Sequence, residues 1–475
     1  MQSASGCRRT AAALVLCLVG VACSIEAPKI ELVTQGVAAS QGTTGSAAQN
    51  VSLGGSAGVP GAAVTGAAAK SCLGKATDVG ITGDTIKLGS TFAVSGPVSN
   101  ISGPILKGVQ SYFNMINASG GIYGRKIALK WYDDGWDAQR GKAYIKRLVE
   151  QDKVFVLSTV PSSNGLDAAK TYLEQQQVPV FGTSGLIESQ FQSPMDWPVG
   201  TSSKSAARIG LVTMKQLHAQ SAAVIWLDLL AGREAMDAIT NGIKPIIGKN
   251  PADFLVNTAG YRVSISEPDF GPVWARIIND TKDFQSAHHQ SVTGRPDYVV
   301  FAIDPTNAIK ALQAAENIDF RPKIGWGGAA PLFLNLVPQS SDYAAKTGLR
   351  AGTSYYPPLG AYLNRPAVQN YINTVRRYYG SSVDLNNPYL EGGYAGAALT
   401  VEVIKRAGPC LTRAAVINAA NHLTDFSAAG LTPPLTFRAG STHYGNIRGL
   451  NVQVTPSGDW QVIGDFVADP FPGRN

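Results

Sequence analysis

The 475-residue chain is too long for one ordinary domain and suits two lobes of about 150–200 residues with extra segments. Apolar residues make up 44%, enough for real cores, and charged residues only 15%, which excludes a coiled coil or an acidic disordered chain. The net charge of +7 is scattered without a run of four basic residues, so no nucleic-acid footprint is present, and no apolar stretch reaches the ~20 residues of a spanning helix.

Residues 1–23 read as an export signal. Arg8 and Arg9 precede an uncharged stretch rich in Ala, Leu and Val that is too short to span a membrane. It ends in Gly20-Val21-Ala22-Cys23. Small residues before a Cys resemble the lipobox of bacterial lipoproteins, although Gly20 stands where Leu is usual; Cys23 is then the lipidated N-terminus. A plain secretory signal is the other reading. Residues 33–69 carry no charge and consist largely of Gly, Ala, Ser, Thr, Gln and Val. Residues 24–79 are therefore expected to be a flexible tether, with a reach of roughly 40 Å for about 50 residues. Cys7 and Cys17 leave with the signal and Cys23 takes the lipid. Cys72 and Cys410 remain, either as a disulfide in an oxidising compartment or as two separate buried thiols. No cofactor or metal site is expected, since two cysteines alone make a poor one.

From residue 85 strands and helices alternate. Strands are predicted at 86–92, 127–132, 154–157 and 178–181, with helices at 105–117, 137–151 and 168–177. A second series follows from Ser203. Its helices are predicted at 206–218, 234–243, 270–281 and 306–315. Its strands are predicted at 222–227, 253–258, 298–302 and 323–326. Such alternation implies right-handed crossovers and parallel sheets, and two series imply two similar α/β lobes. Ligands of such sheets bind outside the carboxyl ends of the strands.

The sequence holds no HExxH and no Walker loop, and the chain is not expected to be an enzyme. His288-His289 reads as a solvated loop, and Asp133, Asp134 and Asp137 as turn and helix-capping residues. The loops after the strands are more informative. Ser162 and Ser163 follow the third strand; Thr183, Ser184 and Gly185 follow the fourth. Their hydroxyls and backbone N–H groups suit a carboxylate or another small polar group. Trp136 and Trp326 also fall at strand ends, where a ring can cover an apolar ligand.

Several segments resemble the substrate-binding proteins of branched-chain amino acid ABC transporters, the leucine/isoleucine/valine-binding family with the type I periplasmic-binding fold. They are residues 86–97, the run FNMINASGGIYGRKIAL at 113–129, Tyr132-Asp133-Asp134, the run LVEQDKVFVLSTVPSS at 148–163, and YLEGGYAGAAL around Gly393-Tyr394. The resemblance covers about residues 80–465. It implies two Rossmann-like lobes joined by three crossing strands, near Thr201, near 351–355 and near Pro433. The first lobe is then 80–202 plus 355–432, and the second 203–354 plus 433–475. It also implies that ligand binds between the lobes and that closure is a hinge motion. Ser162 matches the family Ser that holds the amino acid's carboxylate, and Ser184 with its neighbours approximates a second group. In the second lobe the family's aromatics fall at about Ala231 and Asp304, and its ammonium-binding acid falls in residues 326–329, which hold no carboxylate. Either Asp304 replaces that acid, or the ligand is not an amino acid.

The expected function is that of a monomeric extracytoplasmic solute-binding lipoprotein, anchored to the bacterial membrane, which delivers a small polar or carboxylate compound to an ABC permease. The alternative is a sensor of the same fold that signals to a membrane partner.

Overall fold

The computed structural model describes residues 30–32, 71–328, 343, 347–440 and 442–473. β2 (Thr85–Phe92) alternates in burial at its start and is buried throughout its last five residues, as befits a parallel strand covered by helices on both faces. It lies between β3 (Lys126–Asp133) and β4 (Val156–Ser158), followed by β5 (Val180–Phe181) and β6 (Asp196–Trp197), all parallel. The antiparallel strand β1 (Ile30–Leu32) closes the other edge, giving the order β1-β3-β2-β4-β5-β6.

The second sheet runs β13-β12-β11-β10-β9-β7-β8. β7 (Ala222–Leu227), β8 (Tyr261–Val263), β9 (Tyr298–Ala302), β10 (Gly325–Gly328) and β11 (Leu349–Thr353) are parallel. β12 (Arg448–Val454) and β13 (Trp460–Ala468) add an antiparallel hairpin that the sequence reading did not anticipate. The strand expected at 253–258 is reduced to one bridge, Ala222 to Leu255, because Pro251–Asp253 forms a 3-10 turn; pairing resumes at Tyr261. Two α/β lobes result, each with its own core.

The helix Ser99–Ala118 buries Ile105, Val109, Phe113 and Ile116 along one face, at the expected helical spacing. It packs on the helix Pro388–Arg406, which follows the second crossing in sequence but completes the first lobe. The two backbones nearly touch. A Cβ on Gly108 would sit 2.2 Å from the Leu390 carbonyl, and one on Gly393 would sit 2.1 Å from that of Ile105. Glycine at both positions is what permits this crossing.

The lobes are joined by three neighbouring strands of chain. The Ser354 hydroxyl donates to Thr201 Oγ1 (2.8 Å), Asn446 Nδ2 donates to the Ser354 carbonyl (3.0 Å), and Thr201 Oγ1 donates to the Arg448 carbonyl (3.3 Å). The third crossing therefore lies at Asn446, not near Pro433. Leu435 and Phe437 are buried in the core of the first lobe, and Leu435 bridges to Phe426, so the chain stays in that lobe about a dozen residues longer than expected.

The signal read at 1–23, with Cys23, lies outside the described residues, as does most of 24–79. Two pieces of that stretch are not tether: Ile30–Leu32 pairs with β3, and residues 71–79 are fixed to the first lobe. Cys72 and Cys410 are disulfide-bonded with their Cα atoms 5.1 Å apart. The buried Arg125 ties the same segment down. Its Nη2 donates to the carbonyls of Cys72 (2.7 Å) and Lys75 (3.0 Å), and its Nε to that of Thr82 (2.9 Å). No described helix is long and apolar enough to cross a membrane.

Candidate ligand-binding cleft

A cleft of about 1310 Å³, counted with its open mouth, lies between the lobes at the carboxyl ends of the strands. The first lobe contributes Val98, Ile101 and Ile105 from the start of one helix, and Leu186 from the loop after β5. The second contributes Leu227, Leu229, Ile265 and Ile303. Tyr355 enters from the second crossing, and Tyr389 from the start of the helix Pro388–Arg406.

Trp136 reaches the cleft because the loop before it is held by its own carboxylates. Asp133 Oδ1 accepts the Gly135 N–H and Asp134 Oδ1 the Trp136 N–H, both at 3.0 Å. Trp136 itself takes a positive φ of 66°. Asp137 then caps the next helix by accepting the Arg140 N–H at 2.7 Å, as its sequence position suggested.

Of the eight residues expected at the site, Trp136, Ser163, Ser184 and Asp304 line the cleft. The other four are turned elsewhere. Ser162 is fully buried and faces Asp134. The Ser162 and Thr91 hydroxyls make no bond of ordinary geometry, yet they lie close enough to favour the carboxylate form of Asp134, which burial pushes up. Thr183 Oγ1 donates to the buried Asp196 carboxylate at 2.8 Å. Gly185 makes a tight turn at φ +67°, where a side chain would strike Phe191 and Pro198. Trp326 belongs to the second core, in an aromatic group with Trp274, Phe301 and Tyr343, and its Nε1–H donates to Thr347 Oγ1 at 2.8 Å.

Asp304 is already engaged. It caps the helix Pro305–Asn317, accepting the Asn307 N–H (3.1 Å) on one oxygen and Asn307 Nδ2 (2.7 Å) on the other. Burial raises its pKa against these bonds. The phenol of Tyr389 is pushed well up, first by burial and then by the charge of Asp304. No basic side chain appears among the described residues lining the cleft.

Three helices begin at the cleft without a side-chain cap, after Val98, Ser162 and Leu229. The first-turn N–H groups of these helices direct partial positive charge toward the cleft, although Ser99 and Ile101 already donate theirs to the carbonyls of Gly96 and Val98. The backbone also comes close here. A Cβ on Gly182 would lie 2.2 Å from the Gly396 carbonyl, so the cleft floor packs directly on the helix behind it.

The lobes touch around the rim. Asn100 Nδ2 donates to Thr306 Oγ1 at 3.2 Å, and Ser203 Oγ donates to the Leu186 carbonyl at 2.7 Å. The state described is thus a closed one.

The sequence model of the family described as periplasmic binding protein matches residues 85–453. The chain belongs to this family. Among curated relatives, the Leu/Ile/Val/Thr-binding protein of Salmonella typhimurium is 25% identical over 203 residues, 42% of this chain and 54% of that protein. The leucine-specific-binding protein of the same organism is 26% identical over 212 residues, 44% and 55% respectively. The chain spans about half the length of these relatives. Among solved structures, a fatty acid ABC transporter substrate-binding protein from Thermomonospora curvata superposes with a TM-score of 0.67 at 17% identity, covering 83% of this chain and 95% of that one. A solute-binding protein of an ABC transporter from R. palustris, in complex with benzoate, gives 0.64 at 16% identity, covering 81% and 98%. These likenesses establish the shared two-lobed fold.

Proposed function

We propose that this chain is an extracytoplasmic solute-binding protein that captures a small molecule between its lobes and delivers it to an ABC import permease. The carrying observation is the cleft itself, walled by side chains from both lobes beside a three-stranded hinge. Ligand that touches both walls favours the closed form, and closure creates the surface that a permease reads. Lipidation at Cys23 holds the protein at the outer face of the cell membrane, and it works as a monomer without catalysis. Ser163 and Ser184 contribute hydroxyls and Trp136 a ring to the ligand.

A thermal-shift screen of the purified protein over amino acids, amides, small acids, aromatic compounds and sugars tests the reading. A true ligand at 100 times its Kd adds about 2.7 kcal/mol to stability, a readily measured rise in melting temperature. A panel without a single stabilising compound would defeat it. For the anchor, Cys23→Ser should move the protein from the membrane fraction to the soluble one with its melt unchanged; a variant that stays lipid-labelled would refute that part.

A further inference from the structure

Resting on the solute-binding reading above, we infer that the ligand is a predominantly apolar molecule with one hydrogen-bond-accepting head and no ammonium group, not an α-amino acid. Four observations carry this. Aliphatic side chains face the cleft from both lobes, Ile101 and Ile105 opposite Leu229 and Ile303 among them. A zwitterion placed there would lose hydration along most of its length without return.

The cleft next lacks a seat for an ammonium. Asp304 is the single carboxylate among the described lining residues, and both its oxygens already accept from Asn307. To bind an ammonium it would have to surrender bonds that start its own helix.

Third, two donors stand idle. Trp136 Nε1–H and Tyr389 Oη–H are buried without a protein partner, and both residues line the cleft. A buried donor left unpaired is costly, so the ligand is expected to supply an acceptor. Fourth, the three uncapped helix starts favour partial negative charge at the same place. An oxygen head satisfies both, whether it is a carboxylate or a neutral carbonyl.

The test titrates the full chain with octanoate, 2-octanone, leucine, glutamine and glucose by calorimetry. Octanoate or 2-octanone should bind at least 10-fold more tightly than leucine; the comparison of these two distinguishes an anionic head from a neutral one. Tyr389→Phe deletes one donor and keeps the ring, and Trp136→Phe deletes the other together with part of the indole. Each should weaken the bound probe about 5- to 10-fold, the usual yield of one hydrogen bond, with an unchanged melt for the free protein. Tightest binding of leucine, glutamine or glucose would overturn the inference and leave solute binding intact. Wild-type affinity in both Phe variants would also overturn it. Silence of all five probes overturns the inference, and if the wider screen is silent too, solute binding falls with it.

Discussion

The Glu234 carboxylate accepts the backbone N–H of Glu188 at 3.0 and 3.3 Å on its two oxygens, and the two residues belong to different lobes. The bond closes the cleft beside Leu186 and Ala235, which line it. Burial raises the Glu234 pKa to about 7; the Glu188 N–H and Lys204 lower it, while the Glu188 and Asp167 carboxylates raise it. The Glu188 carboxylate itself accepts the Tyr444 hydroxyl. With the lobes apart, Glu234 meets water and keeps the ordinary carboxylate value.

Closure therefore takes up a proton between the ordinary value and about 7. Ligand affinity should tighten as pH falls from 8 to 5. The gain is about 3- to 10-fold, less than full burial would give because Glu234 keeps some solvent. Glu234→Gln should flatten the profile. Affinity that weakens toward pH 5 in the wild type, with the variant unchanged, would contradict the assignment.

A second pH effect comes from Glu391. It is fully buried, and neither carboxylate oxygen has a hydrogen-bond partner. Burial, then the charge of Asp384, raises its pKa well above the usual range. A folded value above the unfolded one means stability is full below the unfolded pKa and is lost as pH rises toward the folded value, at up to about 1.4 kcal/mol per unit. Melting curves of Glu391→Gln should fall less with rising pH than those of the wild type. Parallel curves would show that Glu391 finds a partner in solution.

At the hinge, Asn446 is buried, donates to the Ser354 carbonyl and accepts the Arg448 N–H at 3.2 Å. Asn446→Ala should cost about 1–3 kcal/mol by leaving both groups unpaired. Chemical denaturation measures it, and a loss within error would show that water replaces the side chain.

Ser162→Ala should spare ligand affinity, because that hydroxyl faces Asp134, not the cleft. The expected effect on stability is small, because that hydroxyl has no bond of ordinary geometry to lose. A tenfold or greater loss of affinity with an unchanged melt would restore Ser162 to the site.

The alternation of strand and helix was legible because parallel strands must be apolar and amphipathic helices must cover them. The strand-end loops followed from the same logic, which is why Ser163, Ser184 and Trp136 fall on the cleft lining, whereas Asp304 was pointed to by the family resemblance alone. Direction within a loop was not legible. Ser162 and Ser163 are neighbours, yet one faces Asp134 and the other the cleft. Trp326 sits at a strand end, but its strand turns it into the core. Val98, Ile101, Ile105 and Tyr389 were missed for the opposite reason: an aliphatic wall of a ligand site has the same composition and spacing as a core face. Only the empty space beside it distinguishes the two. Asn446 was hidden because a crossing carries no periodic pattern, and Pro433-Pro434 gave a stronger break signal than the true crossing.

The covalent link from Cys72 to Cys410, with Arg125 clamped over the same segment, also sets a path for mechanical load. A load on residues 71–79 passes through this staple into the first lobe, bypassing the hinge at Thr201, Ser354 and Asn446. The first lobe is then the stationary jaw and the second the one that swings.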